Sequence, residues 1–237
     1  MTATANQLIA AFPQDICRRW AARLERVEVR RGDVLHDPER AVAHVYFPAT
    51  CILSLLYNLQ NGASAEIAVV GHEGMVGIQA FMGGKSTLTE TVVRSTGEAF
   101  RLPVNALMQD FEAGGAVTRA LLRYTQALMT QMAQTAACNR HHTLDQQMCR
   151  LLLLSLDRLH SLELWMTHEL IANMLGVRRE GVTEVALELQ RAGVMRYARG
   201  HITVLDRAGL EARSCECYRV VKTEYDRLLP GRSLLTA

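Results

Sequence analysis

The sequence lacks any apolar run near the roughly 20 residues that a bilayer-spanning helix needs. Its densest, Leu151 to Leu156, is far shorter, so no membrane partner is expected. Between Met1 and Asn6 there is no basic segment leading into an apolar core; no secretory signal is expected, and the expected location is cytoplasmic. An excess of charge is missing too: 26 Lys and Arg face 24 Asp and Glu, for a net charge of +2. That is too little to coat the surface for a polyanion. Lysine occurs only at Lys85 and Lys222, so arginine carries nearly all the positive charge and only its placement is informative. No nucleophile elbow, P-loop, His-Glu-x-x-His pair or dinucleotide fingerprint occurs. Asp145, Glu163 and the His141-His142 pair read as helical positions without a converging constellation, and an enzyme is not expected.

What is present is a globular composition: 237 residues, 49% of them hydrophobic, with a mean hydropathy of +0.02. That is enough for one large or two modest domains, each with a core. Asn6 to Leu24 has helical periodicity broken at Pro13, which predicts a pair of short helices. Alternation and turns follow, through Val27 to Leu35, His44 to Pro48, Ile52 to Tyr57, Ala65 to Gly71, Thr91 to Arg94 and Ala99 to Leu102. Short strands at near-regular spacing, with Asn61-Gly62 as one turn, predict an antiparallel barrel or jelly roll.

After Pro103 the pattern is helical. Val117 to His142 contains neither Pro nor Gly, and Val117, Leu121, Tyr124, Leu128 and Met132 form a seam at three- and four-residue steps. Such a stripe predicts pairing with a second copy of the helix, a parallel two-stranded coiled coil. Packing of the stripe on the chain's own barrel stays open as the alternative. A Leu-rich helix is predicted from about Leu144 to Leu159.

From Thr167 to Leu187 the sequence predicts two short helices joined by a glycine turn. Ile171, Leu175, Val182 and Val185 give each helix a buried face, Ala172 is small enough for a steep crossing, and Gly176 can turn with positive φ. Arg178, Arg179, Glu180, Thr183 and Glu184 are then left facing outward, where a helix-turn-helix meets the DNA major groove. An αα-hairpin that merely packs is the alternative. Against it, Val194 to Val204 predicts two strands about Arg199-Gly200, a wing that would bring Arg199 and His201 near a sugar-phosphate backbone.

A stranded barrel, a long helix and a winged helix-turn-helix, in that order, resemble the Crp/Fnr family of bacterial transcription regulators over nearly the whole chain. The most specific stretch is Leu175-Gly-Val-Arg-Arg-Glu-Gly-Val-Thr-Glu184, supported by Leu189-Gln-Arg-Ala-Gly-Val194, Arg199-Gly-His-Ile202 and Asp206-Arg-Ala-Gly-Leu210. In the N-terminal half, Arg31-Gly-Asp-Val-Leu35 and His44-Val-Tyr-Phe47 look like the first strands of the family's β-roll. The resemblance implies an α+β chain: a cyclic-nucleotide-binding-like β-roll over 1–115, a dimerisation helix over 116–142 and a winged helix-turn-helix domain over 143–237. It also implies a homodimer on a pseudo-palindromic double-stranded DNA operator, with RNA polymerase as a further partner. Thr167 and His168, at the start of the first helix, join the implied DNA contacts. The family's base-reading Arg and Glu fall on Arg179 and Glu180, whose groups suit guanine and cytosine edges. Its next reading arginine falls on Glu184, and its small hydroxyl residue on Arg178, so an altered half-site is expected.

The sensory half departs further. The family's cyclic-nucleotide pocket uses a Gly-Glu pair and a downstream Arg for the phosphate. If Gly77 takes the glycine's place, Ile78 replaces the glutamate, and Ser86 to Thr91 contains no arginine. Lys85 or Arg94 could substitute, with Glu73 nearby in sequence, but cyclic AMP is not the expected effector. Iron-sulfur sensing needs several clustered thiolates, whereas Cys17 and Cys51 stand alone in the N-terminal half. Haem sensing would need an axial ligand facing a barrel cavity; His36, His44 and His72 are the candidates, and each also reads as a surface or turn histidine. Two readings stay open beside an effector-responsive regulator. One is zinc or thiol-redox chemistry at Cys138, His142, Cys215 and Cys217, where Cys138 and His142 share a helical face at i, i+4. The other is a degenerate β-roll that acts only as a protein-interaction module.

Overall fold

The computed structural model describes residues 3–84, 86–159 and 161–229. The chain opens with α1 (Gln7–Ala10) and α2 (Gln14–Trp20), the pair expected about Pro13. Fully buried Asn6 caps α1: its Oδ1 accepts from the Leu8 and Ile9 amides, and its Nδ2 donates to the Pro48 and Gly74 carbonyls, both at 2.8 Å. One side chain thus satisfies a helix start and two loops of the barrel.

The strands are β1 (Glu25–Val29), β2 (Val34–His36), β3 (His44–Pro48), β4 (Ile52–Asn58), β5 (Ser64–Val70), β6 (Glu90–Ser95) and β7 (Gly97–Pro103). They form two antiparallel sheets, ordered β1-β7-β3 and β2-β6-β4-β5. This is the jelly-roll-like β-roll that the alternation predicts. Gly62, at φ +83°, makes the β4–β5 turn, and Asn61 Oδ1 accepts from the Ala63 amide across it.

Three helices follow: α3 (Val104–Glu112), α4 (Ala116–His141) and α5 (Leu144–Leu159). Gly114 and Gly115, both at positive φ, separate α3 from α4. The seam expected to pair two copies of α4 is instead packed inside the protomer. Val117, Leu121, Tyr124 and Leu128 are at most 1% exposed, and Met132 is half-buried. Strand β5 and a C-terminal helix, α9 (Glu216–Leu228), pack against α4. Tyr124 Oη donates to the Met75 carbonyl at 2.6 Å, and Gln131 Nε2 to the Val69 carbonyl at 3.0 Å. A Cβ on Gly74 would lie 2.3 Å from the Tyr124 ring, so this close approach needs glycine. The periodicity therefore marks a buried face correctly, but its cover is the chain itself.

The C-terminal part runs β8 (Glu163–Trp165), α6 (His168–Leu175), α7 (Arg179–Arg191), β9 (Met195–Ala198), β10 (His201–Val204), α8 (Arg207–Arg213) and α9 (Glu216–Leu228). Glu163, read as helical from sequence, lies in β8. Buried guanidinium groups join α5 to the β-roll. Arg158 Nε sits 2.7 Å from Glu73 Oε1 with both side chains 1% exposed, and its other nitrogens donate to Gln131 Oε1 and the Leu154 carbonyl. Arg94 pairs with Glu66 at 3.0 Å and donates to Ser155 of α5. Such charges tolerate burial only when paired and hydrogen-bonded, as these are. Among the described residues, no helix is long and apolar enough to cross a membrane.

Candidate nucleic-acid interface

Thr167 caps α6: its hydroxyl accepts from the Leu170 amide at 3.1 Å, satisfying one of the free N–H groups of the first turn. Gly176 ends the helix in the left-handed region, at φ +66°, and the Val177 amide returns to the Ala172 carbonyl. That turn sets α6 across α7, with Ile171, Ala172 and Leu175 of α6 and Val182, Val185, Ala186 and Leu189 of α7 all buried.

Arg178, Arg179, Glu180 and Glu184 stand exposed at the start of α7. No side chain caps this helix at Arg178, so its first-turn amides are available to an anion such as a phosphate oxygen. Two other expected contacts are engaged internally. Thr183 Oγ1 donates to the Arg179 carbonyl and lies 2.9 Å from His168 Nδ1, while the His168 ring stacks on Tyr197 at 4.2 Å. Burial first, and then the Arg179 cation, hold His168 below the usual imidazole range. It is thus a neutral brace between α6, α7 and the wing.

The wing is a three-stranded sheet, β8-β10-β9, against the two strands expected. Arg199 at φ +50° and Gly200 at φ +82° make its tip, with Arg199 exposed. His201 stacks on Trp165 at 4.3 Å and lies 3.5 Å from Glu163. Sequence reasoning missed Trp165, an indole 63% exposed beside the wing, and Tyr197, which braces it. Trp165 is one of only two tryptophans, and its alternation with Leu164 and Met166, in step with Glu163 and Thr167, was the signal that puts it on the outward face.

The residues expected to line an effector pocket do not converge. Glu73 is committed to Arg158 and borders a cleft with Gln7, Ala116 and Arg123. Arg94 is committed to Glu66 and borders a different cleft, with Arg31, Ser54 and Asn173. Val45 and His36 crowd the space beside Gly77, and Ile78 is buried. Lys85 lies outside the described residues.

Cys138, His142, Cys215 and Cys217 do come together. Their candidate ligand atoms all lie within 4.8 Å of one another, a cluster that could hold a metal. Burial, the main cause in each case, pushes the Cys138 thiol up to about 12 and the Cys217 thiol up to about 11. Cys51 and Cys149 are likewise pushed up to about 12 by burial, and they lie outside the cluster.

Residues 146–213 match the model of the Crp-like helix-turn-helix domain. No curated protein matches the chain significantly in sequence. Among solved structures, a transcriptional regulator assigned to the Crp/Fnr family from Eubacterium rectale superposes with a TM-score of 0.68 at 19% identity, over 90% of this chain and 97% of that one. FixK2 from Bradyrhizobium japonicum gives 0.69 at 16%, over 81% and 98%. The c-di-GMP-responsive global regulator CLP from Xanthomonas campestris gives 0.62 at 14%, over 81% and 99%. The chain therefore carries a Crp-like helix-turn-helix domain and has the fold of Crp/Fnr transcription regulators, as its sequence resemblance implies.

Proposed function

We propose that this protein is a sequence-specific transcription regulator that binds a pseudo-palindromic DNA operator as a homodimer. The observation that carries the reading is the exposed start of α7. Arg178, Arg179, Glu180 and Glu184 project from a capped and braced helix-turn-helix, with Arg199 at the adjoining wing tip. In this reading Arg179 donates to a guanine edge and Glu180 accepts from a cytosine amino group, while Arg199 meets the backbone. Thr167, His168, Thr183 and His201 hold the reading surface in shape. The working units are a sensory β-roll over 1–115, the dimerisation helix over 116–142 and the DNA-binding domain over 143–237. The protein works in the cytoplasm with RNA polymerase as its partner, and catalyses no reaction of its own.

The dimer seam moves to the outer face of α4, where Leu122 and Met129 are 53% and 58% exposed and Ala136 follows at the same seven-residue step. Cyclic AMP is not the signal in this reading: Arg94, the arginine that could have met a phosphate, is internally paired, and with Gly77 aligned to the family glycine Ile78 stands where a ribose-binding acid is needed.

Selection of preferred sites from random DNA, with and without cyclic AMP, tests the proposal. The expected product is a two-fold symmetric site with half-sites about one helical turn, near 34 Å, apart, unchanged by the nucleotide. Retention that is equal for all sequences and vanishes with added salt would reduce the protein to a non-specific polycation and end the reading.

A further inference from the structure

The corner between α4 and α5 meets the start of α9 through a group of side chains that neither DNA binding nor the β-roll requires. Cys138 lies in the last turn of α4 and His142 immediately follows that helix; Cys215 is the N-cap of α9 and Cys217 lies in its first turn. The three thiols are buried and form a cluster apart from the main core. Cys138 Sγ lies 3.5 Å from Cys215 Sγ, and Cys217 Sγ lies 3.6 Å from His142 Nδ1.

We infer that Cys138, His142, Cys215 and Cys217 form a tetrahedral site for one zinc-class divalent cation, which clamps the end of α4 to the start of α9.

The dimensions fit. Zinc with Zn–S bonds of about 2.3 Å sets its ligand atoms at the corners of a tetrahedron with edges of roughly 3.8 Å. The two separations above are close to such edges, and the whole set fits within 4.8 Å. Three sulfurs and one imidazole also make a donor set that suits zinc and rejects magnesium or calcium, which prefer oxygen.

The surroundings are arranged for the same purpose. His142 Nε2 lies 3.3 Å from Glu216 Oε2, so a proton on Nε2 is held by the carboxylate and the Nδ1 lone pair turns toward the sulfurs. That is the carboxylate–histidine support typical of metal ligands. Gln147 Nε2 donates to the His142 carbonyl at 2.8 Å and reaches the Cys138 carbonyl at 3.4 Å, fixing the corner between the two ligands. The Arg150 cation acts on both Cys138 and Cys217, and the positive end of α9 adds to it. Both offset the net negative charge of three thiolates around one dication. On binding, three S–H bonds give their protons to solvent as three S–metal bonds form, and the neutral imidazole gives up none. Cysteines serving only as small apolar side chains would explain the burial. They would not explain an imidazole nitrogen at 3.6 Å backed by a carboxylate.

The test uses the full chain, without a histidine tag, purified without added zinc and assayed for metal by mass spectrometry. About one zinc per chain is expected. Cobalt exchanged into the site should give the intense visible absorption of a thiolate-bound tetrahedral ion. Cys217→Ser should abolish both signals, and Glu216→Gln should weaken zinc binding about tenfold. Near-zero metal in the wild-type chain, with all its thiols titrating freely even after zinc is supplied, would overturn the inference. A stable Cys138–Cys215 disulfide in the purified protein, with no zinc taken up, would overturn it equally. Wild-type metal content and the cobalt spectrum decide the matter even if a cysteine variant fails to fold. Because none of these readouts involves DNA, the inference can fail or stand independently of the regulator reading.

Discussion

His36 shows how one side chain can make the fold pH-dependent. Its Nε2 lies 2.8 Å from the His44 carbonyl, which can only accept, so that nitrogen carries the proton; Nδ1 lies 3.2 Å from the Thr91 hydroxyl. Burial is the chief cause that holds this imidazole below its ordinary value of 6.5, so the folded protein keeps it neutral where the unfolded chain would protonate it. A base depressed in the folded state contributes stability that is fully present above the unfolded value. That contribution is lost as pH falls through the lowered one. Denaturant unfolding followed from about pH 7.5 to about pH 5.5 should therefore show a falling midpoint, with a smaller fall in His36→Gln, which cannot titrate. An equal fall in both proteins would assign the acid sensitivity elsewhere. The same scale explains why the effector positions misled. Glu73 and Arg94 are an acid and a base of the kind a ligand pocket needs, but Arg158 and Glu66 use their charges inside the molecule. Those partners are distant in sequence, and no local pattern announces them.

Elements were legible where their ends carry their own chemistry. Thr167 and Gly176 bracket α6, the Arg199-Gly200 turn divides the wing, and α5 runs over Leu144–Leu159 as its Leu-rich sequence predicts. Strand β8 was not legible, since three residues give no alternation to read and it exists through pairing with β10. Nor did the stripe of α4 reveal what covers it: periodicity identifies a buried face, but α9 supplies the cover from the far end of the chain. The cysteine cluster divides the same way. Cys138 and His142 share a face by local spacing, whereas only the tertiary fold adds Cys215 and Cys217. At this scale α7 yields the sharpest expectation for function. Arg179 is exposed on the first turn, away from the face of α7 that packs on α6, so Arg179→Ala removes a base contact without disturbing the core. Affinity for the selected operator should fall by roughly 1–3 kcal/mol, and base preference should relax at one position of each half-site. Gel shifts on a panel of singly substituted operators measure both; a uniform loss across the panel would recast Arg179 as a phosphate contact.

Across the whole molecule, the inner face of α4 is occupied, so the geometry of a dimer depends on the outer one. That face presents Leu122 and Met129, each more than half exposed, among the exposed Arg119, Arg123, Gln126 and Ala133. Two such helices in parallel would stack these residues at heptad spacing and carry both copies of α7 on the same side. Because both side chains point away from the core, the double variant Leu122→Glu, Met129→Glu should fold with little change in stability, within about 0.5 kcal/mol per site. Like charges facing across the seam should nevertheless separate the protomers. Light scattering should report a dimer for the parent chain and a monomer for the variant. Affinity for a full palindrome should drop about a hundredfold or more, since the second half-site is no longer bound intramolecularly. Affinity for an isolated half-site should stay nearly constant, which separates loss of pairing from damage to the reading helix. A variant that remains dimeric, or a parent chain that is already monomeric at the concentrations where it binds the palindrome, would remove α4 from the pairing role.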